Sequence, residues 1–371
     1  MSRAALRGIG MTSPAGHDLE GFRRWWRAGR PVLLRPSKHL AAQAFMPAAL
    51  VGEVPNWKPR NHIPDRKSIK LMFPRVQHGV AAALEAWGSD GGLDPEALSP
   101  PPERRAMYVG CGLTVDEDWT FRDAIDLSLV GEGDSERFDM RLFGQQGQAV
   151  LNPLWLVKGL SNNVLAFVSK FQQITGPNDN FMAGPAGALQ ALGAAAGAIC
   201  EGRADRALAG GSDSLVTVED LIGFARQGAF EGGQSVVPAQ GAGFALLTPG
   251  EPGDFGLLGI ETGYLPTPPP DAGWLPDPAI EEVIERVALT AWEAAGLERA
   301  PACTVRGPRL PNGPGDIDLW SPLGDPGAAV GGWLLGAAWV LRHDDGVLGP
   351  IELVAGSNNG EVAVAVLGTL P

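Results

Sequence analysis

The stretch from Gly176 to Asp213 constrains this chain more than any other. It opens on Gly176-Pro177-Asn178 and runs into Gly184-Pro185-Ala186-Gly187. Residues 188–200 then alternate alanine, glycine and leucine at helical spacing and end on Cys200. Glu201 to Asp205 reads as a helix stop, Arg206 to Ala209 as an apolar strand, and Gly210-Gly211-Ser212-Asp213 closes the unit. Glycine at a strand–helix junction permits a sharp turn and a close backbone approach. A helix built from alanine and glycine has room only for neighbours packed hard against it, which predicts a central, buried helix. In an enzyme such a junction presents a nucleophile. Here no Cys, Ser, Thr, His or Lys lies between Phe181 and Leu189.

A second small-residue helix is predicted over Gly331–Leu341. With the first it forms the best candidate for an internal repeat, one of pattern rather than of sequence. Around these two, strands are expected at Ala4–Met11, Ala106–Gly110, Ile351–Ala355 and Val362–Leu367. Phe244–Leu247 and Leu257–Ile260 read as adjacent strands, and Asp316–Trp320 as a brief one. Amphipathic helices are expected over Asp18–Ala28 and Asp277–Ala295. Another is expected over Arg66–Trp87, capped by Asp65 and kinked or broken at Pro74. Strands and helices alternate, which points to α/β layers with helices buried between sheets.

The chain has 371 residues, enough for one large two-lobed domain or two ordinary ones. The formal net charge of −13 argues against nucleic acid or an anionic membrane as the default partner. The charge is uneven: twelve of the 29 Lys and Arg fall between Arg23 and Arg75. Three cysteines, at 111, 200 and 303, give neither a disulfide framework nor metal-ligand spacing. The start of the chain carries no apolar leader segment, and no apolar run is long enough for a membrane span. A cytoplasmic location without metal or cofactor is the expectation.

Other chemistry-bearing residues are weaker candidates. Asp116, Glu117 and Asp118 lack a spaced fourth ligand and read as a solvated loop. Gly210-Gly211-Ser212 lacks the lysine of a phosphate loop. His17, His39, His62, His78 and His343 stand in no recognised catalytic context. Cys111, at a strand end, is the one thiol of interest, and its ordinary reading is an inert buried cysteine.

Taken together, these motifs resemble the β-ketoacyl synthases of the thiolase-like fold. The resemblance rests on Ile9 to Gly16, Phe22 to Gly29, Asp65 to Met72, Asn152-Pro153, Gly176-Pro177-Asn178, Gly187, and Gly202-Arg203-Ala204-Asp205 through Gly211. Gly241-Ala242-Gly243-Phe244 and Asn358-Asn359 add to it. It spans nearly the whole chain and is strongest over 152–213. It implies a layered αβαβα fold in two halves, 1–250 and 251–371, the second shortened.

The family's reaction needs a cysteine to carry the acyl chain and two histidines for decarboxylation and enolate binding. The resemblance places the cysteine position on Gly184, counting back from Gly187, or on Pro185, counting forward from Gly176. It places the first histidine near Ile317. The second falls on Trp333, or on Asp325 in an alternative register. This implies a chain-length-factor-type subunit without independent activity, paired with a catalytic ketosynthase and served by an acyl carrier protein. Phe181 and Met182 are then candidates to line an acyl tunnel or to fill it. Arg66, Lys67 and Lys70 are candidates to meet the acidic carrier. The alternative is a homodimeric thiolase-like enzyme using Cys111.

Overall fold

The computed structural model describes residues 3–37, 50–88, 100–112, 119–217, 220, 221, 224, 236–266, 279–308, 310, 313, 315–356 and 360–371. Nine strands make the main sheet: β1 (Arg3–Thr12), β2 (Arg105–Cys111), β3 (Asn178–Phe181), β4 (Arg206–Ser214), β5 (Gln240–Gly250), β6 (Phe255–Tyr264), β7 (Cys303–Arg306), β8 (Ile351–Gly356) and β9 (Glu361–Thr369). The principal helices are α1 (Leu19–Arg27), α2 (Arg66–Ile69), α3 (Pro74–Gly88), α4 (Asn163–Gln172), α5 (Gly187–Cys200), α6 (Ile280–Ala295) and α7 (Val330–His343).

The strand order is β7-β8-β9-β6-β1-β5-β4-β2-β3. On one side β2, β3 and β4 run parallel, and β5 returns antiparallel between β4 and β1. On the other, β7 and β8 are parallel, and β9 returns antiparallel to β6. The two sides meet at β1 and β6 through one register pair, Ala5 with Gly256. Each side carries a bulge near that seam: an extra residue at Arg7 in β1 and at Leu258 in β6.

Three apolar cores lie among the layers. The outermost on one side joins α3 and α4 to β2, β4 and β5. The central core holds α5 and α7 between the two sides of the sheet. The third joins α6 to β8 and β9. This is an α/β layered architecture with a mixed sheet, and both small-residue helices occupy its middle layer as expected. Their composition follows from the spacing. A Cβ on Gly211 of β4 would stand 2.3 Å from the Ala328 carbonyl oxygen, and one on Gly332 of α7 would stand 2.3 Å from that of Gly243. Only glycine fits at either approach.

Several sequence expectations need correction. The strands at Phe244–Leu247 and Leu257–Ile260 are not neighbours, because β1 lies between β5 and β6. Asp316–Trp320 makes no strand. Ile317 forms one bridge with Val305, and a short helix starts at Trp320. The expected helix over Arg66–Trp87 is two: α2, capped by the Asp65 carboxylate accepting from Lys67 N at 3.0 Å, and α3, which begins on Pro74. Proline at a first helical turn loses no hydrogen bond, so it starts a helix where it would break one. Asp116–Asp118, His39 and Asn358-Asn359 lie outside the described residues. Among the described residues no helix is long and apolar enough to cross a membrane.

Candidate functional site

The parallel strands β2, β3 and β4 end on one side of the sheet, facing the starts of α5 and α7. Open α/β sheets place their ligand sites at such carboxyl ends. Each helix is entered through a 3-10 turn, Gly184–Ala186 before α5 and Gly327–Ala329 before α7, and the two turns pack together. Gly184 holds φ +50, a left-handed conformation that costs any residue with a Cβ. Pro185 behind it is buried. Phe181 is half-buried against the central core, whereas Met182 is 49% exposed.

The turn before α7 is held by two buried carboxylates. Asp213, at the end of β4, accepts from Ala328 N at 3.0 Å and Ser214 N at 2.9 Å. Burial pushes its pKa above the ordinary carboxylate value, and these two amides act against that shift. Asp325 accepts from Gly327 N at 2.8 Å, while its own backbone bonds to Val237 and Ala239. Asp325 is therefore a stitch between the turn and the start of β5. Trp333 lies deeper in α7, fully buried, with its indole N–H donating to the Thr12 carbonyl at 3.0 Å and its ring stacked on Trp320. Ile317 packs at the edge of the same core. Of the sequence-derived positions, the structure brings Gly184, Pro185 and Asp325 to the two facing turns. Trp333 and Ile317 sit within the packing behind them.

Cys111 ends β2 and is buried. Its sulfur accepts from Asn180 Nδ2 at 3.0 Å, and the same amide group lies 3.4 Å from Ser161 Oγ. Burial raises the thiol pKa, and Asp213 raises it further. Arg75, itself buried, donates to the carbonyls of Gly112 and Gly159 at 3.3 and 3.0 Å. Sequence reading did not find Asn180, Arg75 or Asp213, whose polar types in apolar context were the available signal. The nucleophilic form of cysteine is the thiolate. This environment favours the protonated thiol, and no described histidine pairs with it. His78, in α3, packs against Trp57 at 4.5 Å and is fully buried, which drives its pKa down to about 3. Among the described residues no three His, Cys, Asp or Glu converge as a metal site.

Arg66, Lys67 and Lys70 are all exposed at α2, at the surface rather than at the turns. Lys170 of α4 joins them by bridging to Asp65 at 2.9 Å.

Residues 1–250 match the family profile of the beta-ketoacyl synthase N-terminal domain. The chain belongs to the β-ketoacyl synthase family. A 3-oxoacyl-[acyl-carrier-protein] synthase 2 from Coxiella burnetii is 25% identical over 223 residues, covering 60% of this chain and 48% of that protein. The chain thus spans about half the length of the curated relatives it matches. Among solved structures, the ishigamide ketosynthase/chain length factor superposes with a TM-score of 0.72 over the whole of both chains at 20% identity. A type II polyketide acyl-carrier protein in complex with its ketosynthase gives 0.73 at 14%, again over both chains in full. At these identities the likeness is one of fold. Within this synthase fold, the turn before α5 is where the sequence resemblance locates the acyl-carrying cysteine, and this chain builds it from glycine and proline.

Proposed function

We propose that this chain is a non-catalytic β-ketoacyl-synthase-like subunit of the chain-length-factor type. It pairs with an active ketosynthase and shapes that enzyme's acyl tunnel in type II fatty-acid or polyketide-like biosynthesis. The observation that carries the reading is the turn Gly184-Pro185-Ala186. It has no side chain able to form a thioester, and its left-handed Gly184 disfavours one. Trp333, hydrogen-bonded and fully buried, fills a place that the resemblance gives to an imidazole.

The surface supports pairing. Among the described residues strand β3 is the terminal strand of the sheet, with no further strand on its outer edge, which suits pairing with another chain. Near it the chain exposes Leu154, Val157, Leu160 and Met182 at 44–49%. Apolar surface of this kind beside an open edge suits an obligate interface. Met182, half-exposed here, would then become part of a wall once a partner covers it, with Phe181 behind. We read the first half as 1–250 and the second, 251–371, as shortened: four described strands lie on its side of the seam against five on the other. The exposed cations of α2 suit an acidic acyl carrier protein.

Co-expression with a ketosynthase subunit from the same genome, followed by native mass spectrometry, tests the reading. The expected result is a one-to-one heterodimer, with no acyl adduct on this chain after incubation with an acyl donor. A stoichiometric adduct on Cys111 would favour the homodimeric enzyme instead.

A further inference from the structure

The open edge of β3 carries an unusual polar run, Asn178-Asp179-Asn180. Met107 N bonds to the Pro177 carbonyl at 3.1 Å, which turns alternate peptide groups of β3 towards β2 and leaves those of Asn178 and Asn180 facing outwards. The outward N–H of Asn180 is already taken: it donates to Asp179 Oδ1 at 2.7 Å. Asp179 is exposed and makes no ion pair with a described residue. Beside it runs a groove of about 610 Å³ between β3 and α5, bordered by Tyr108, Gly193, Gly197 and Arg203. Arg203 is bound to Glu201 at 2.5 Å, so the charge left over in the groove is that of Asp179.

We propose that Asp179 makes this edge select a different chain over a second copy of this one, by demanding a lysine or arginine side chain beside it. The inference rests on the pairing proposed above and names the chemistry of the partner. A copy adding antiparallel about a two-fold axis would bring its own Asp179 onto the same face. With the axis through Asp179 the two would stand directly opposite each other as a non-hydrogen-bonded pair, with Cα atoms only about 4.5 Å apart. Like charges so placed oppose pairing. A partner's cation does the reverse: it draws the carboxylate off Asn180 and frees that N–H for the ladder.

Two variants separate this inference from the pairing itself. In Asp179→Asn the charge is removed with little change of shape. In Gly197→Phe the groove is filled, and the position tolerates it because nothing lies within 4 Å of a Cβ there. Sedimentation velocity is run on the chain alone and on its mixture with a ketosynthase subunit from the same genome. At about 50 mM salt, D179N should weaken the heterodimer about tenfold and strengthen self-association about tenfold, and both effects should shrink near 500 mM. G197F should abolish the heterodimer. If D179N changes neither equilibrium while G197F abolishes pairing, the selection by Asp179 is wrong and the pairing stands. If G197F pairs like the native chain, the pairing surface is wrong and the selection falls with it.

Discussion

Two residues two turns apart along one face of α3, His78 and Glu85, pull the pH dependence of stability in opposite directions. Glu85 is largely buried, accepting from Met11 N at 2.8 Å and Leu19 N at 2.9 Å, and burial raises its pKa from 4.5 to about 7. A carboxyl raised in the folded state contributes stability that is full below 4.5 and is lost as pH rises through 7. His78 is the opposite case. Burial lowers it from 6.5 to about 3, and Gln240 opposes that shift only weakly. Its neutral burial contributes stability present above 6.5 and lost as pH falls towards 3. Between pH 4.5 and 6.5 the folded chain holds one proton more on Glu85 and one fewer on His78 than the unfolded chain does. At about 1.4 kcal/mol per pH unit each, the two slopes cancel. His78→Phe removes one slope, so its stability relative to the native chain should rise by about 2 kcal/mol on going from pH 6.5 to 4.5. Glu85→Gln removes the other, so its relative stability should rise by about 2 kcal/mol on going from 4.5 to 6.5. Urea denaturation at pH 4.5, 5.5 and 6.5 reads both. Whatever each substitution costs outright, the slope is the test. Profiles of all three proteins that run parallel would refute the reasoning.

Three further outcomes are expected. Gly184→Cys should lose about 1 kcal/mol in the same denaturation assay, because a Cβ is disfavoured at φ +50, and should gain no condensation of malonyl and acyl thioesters. Iodoacetamide followed by peptide mass spectrometry should label exposed Cys200 well before buried Cys111 in the folded protein, and labelling of Cys111 first would show an accessible thiolate there. Replacing Arg66, Lys67 and Lys70 together by alanine should slow association with an acyl carrier protein at low salt, with the loss shrinking as salt rises. Unchanged association at low salt would remove α2 as the docking site.

Much of this frame is legible in the residues themselves. Glycine and alanine at Gly176–Asp213 announce close packing because no larger side chain could stand where Gly211 meets Ala328. That no Cys, Ser, Thr, His or Lys stands between Phe181 and Leu189 is likewise read directly from the residues. What stays hidden depends on contacts across the chain. No local pattern reveals that β1 would insert between β5 and β6, since the pairing is set by strands some 240 residues apart in sequence. Nor does sequence show that Asp325 would be spent on the Gly327 amide, or that Asn180 would turn its amide to Cys111. Such roles depend on which backbone group lies opposite, and that is a property of the assembled layers.

The bulges near the seam carry a consequence of their own. Both sit in the same tetrad pattern, Leu6-Arg7-Gly8-Ile9 in β1 and Leu257-Leu258-Gly259-Ile260 in β6, each opposite the returning strand of its own side. The two sides thus share one irregularity at matching places. One extra residue in each strand sharpens the local twist on both sides of the seam. Deleting either extra residue would turn the remainder of its strand over, exchanging core-facing side chains for outward-facing ones.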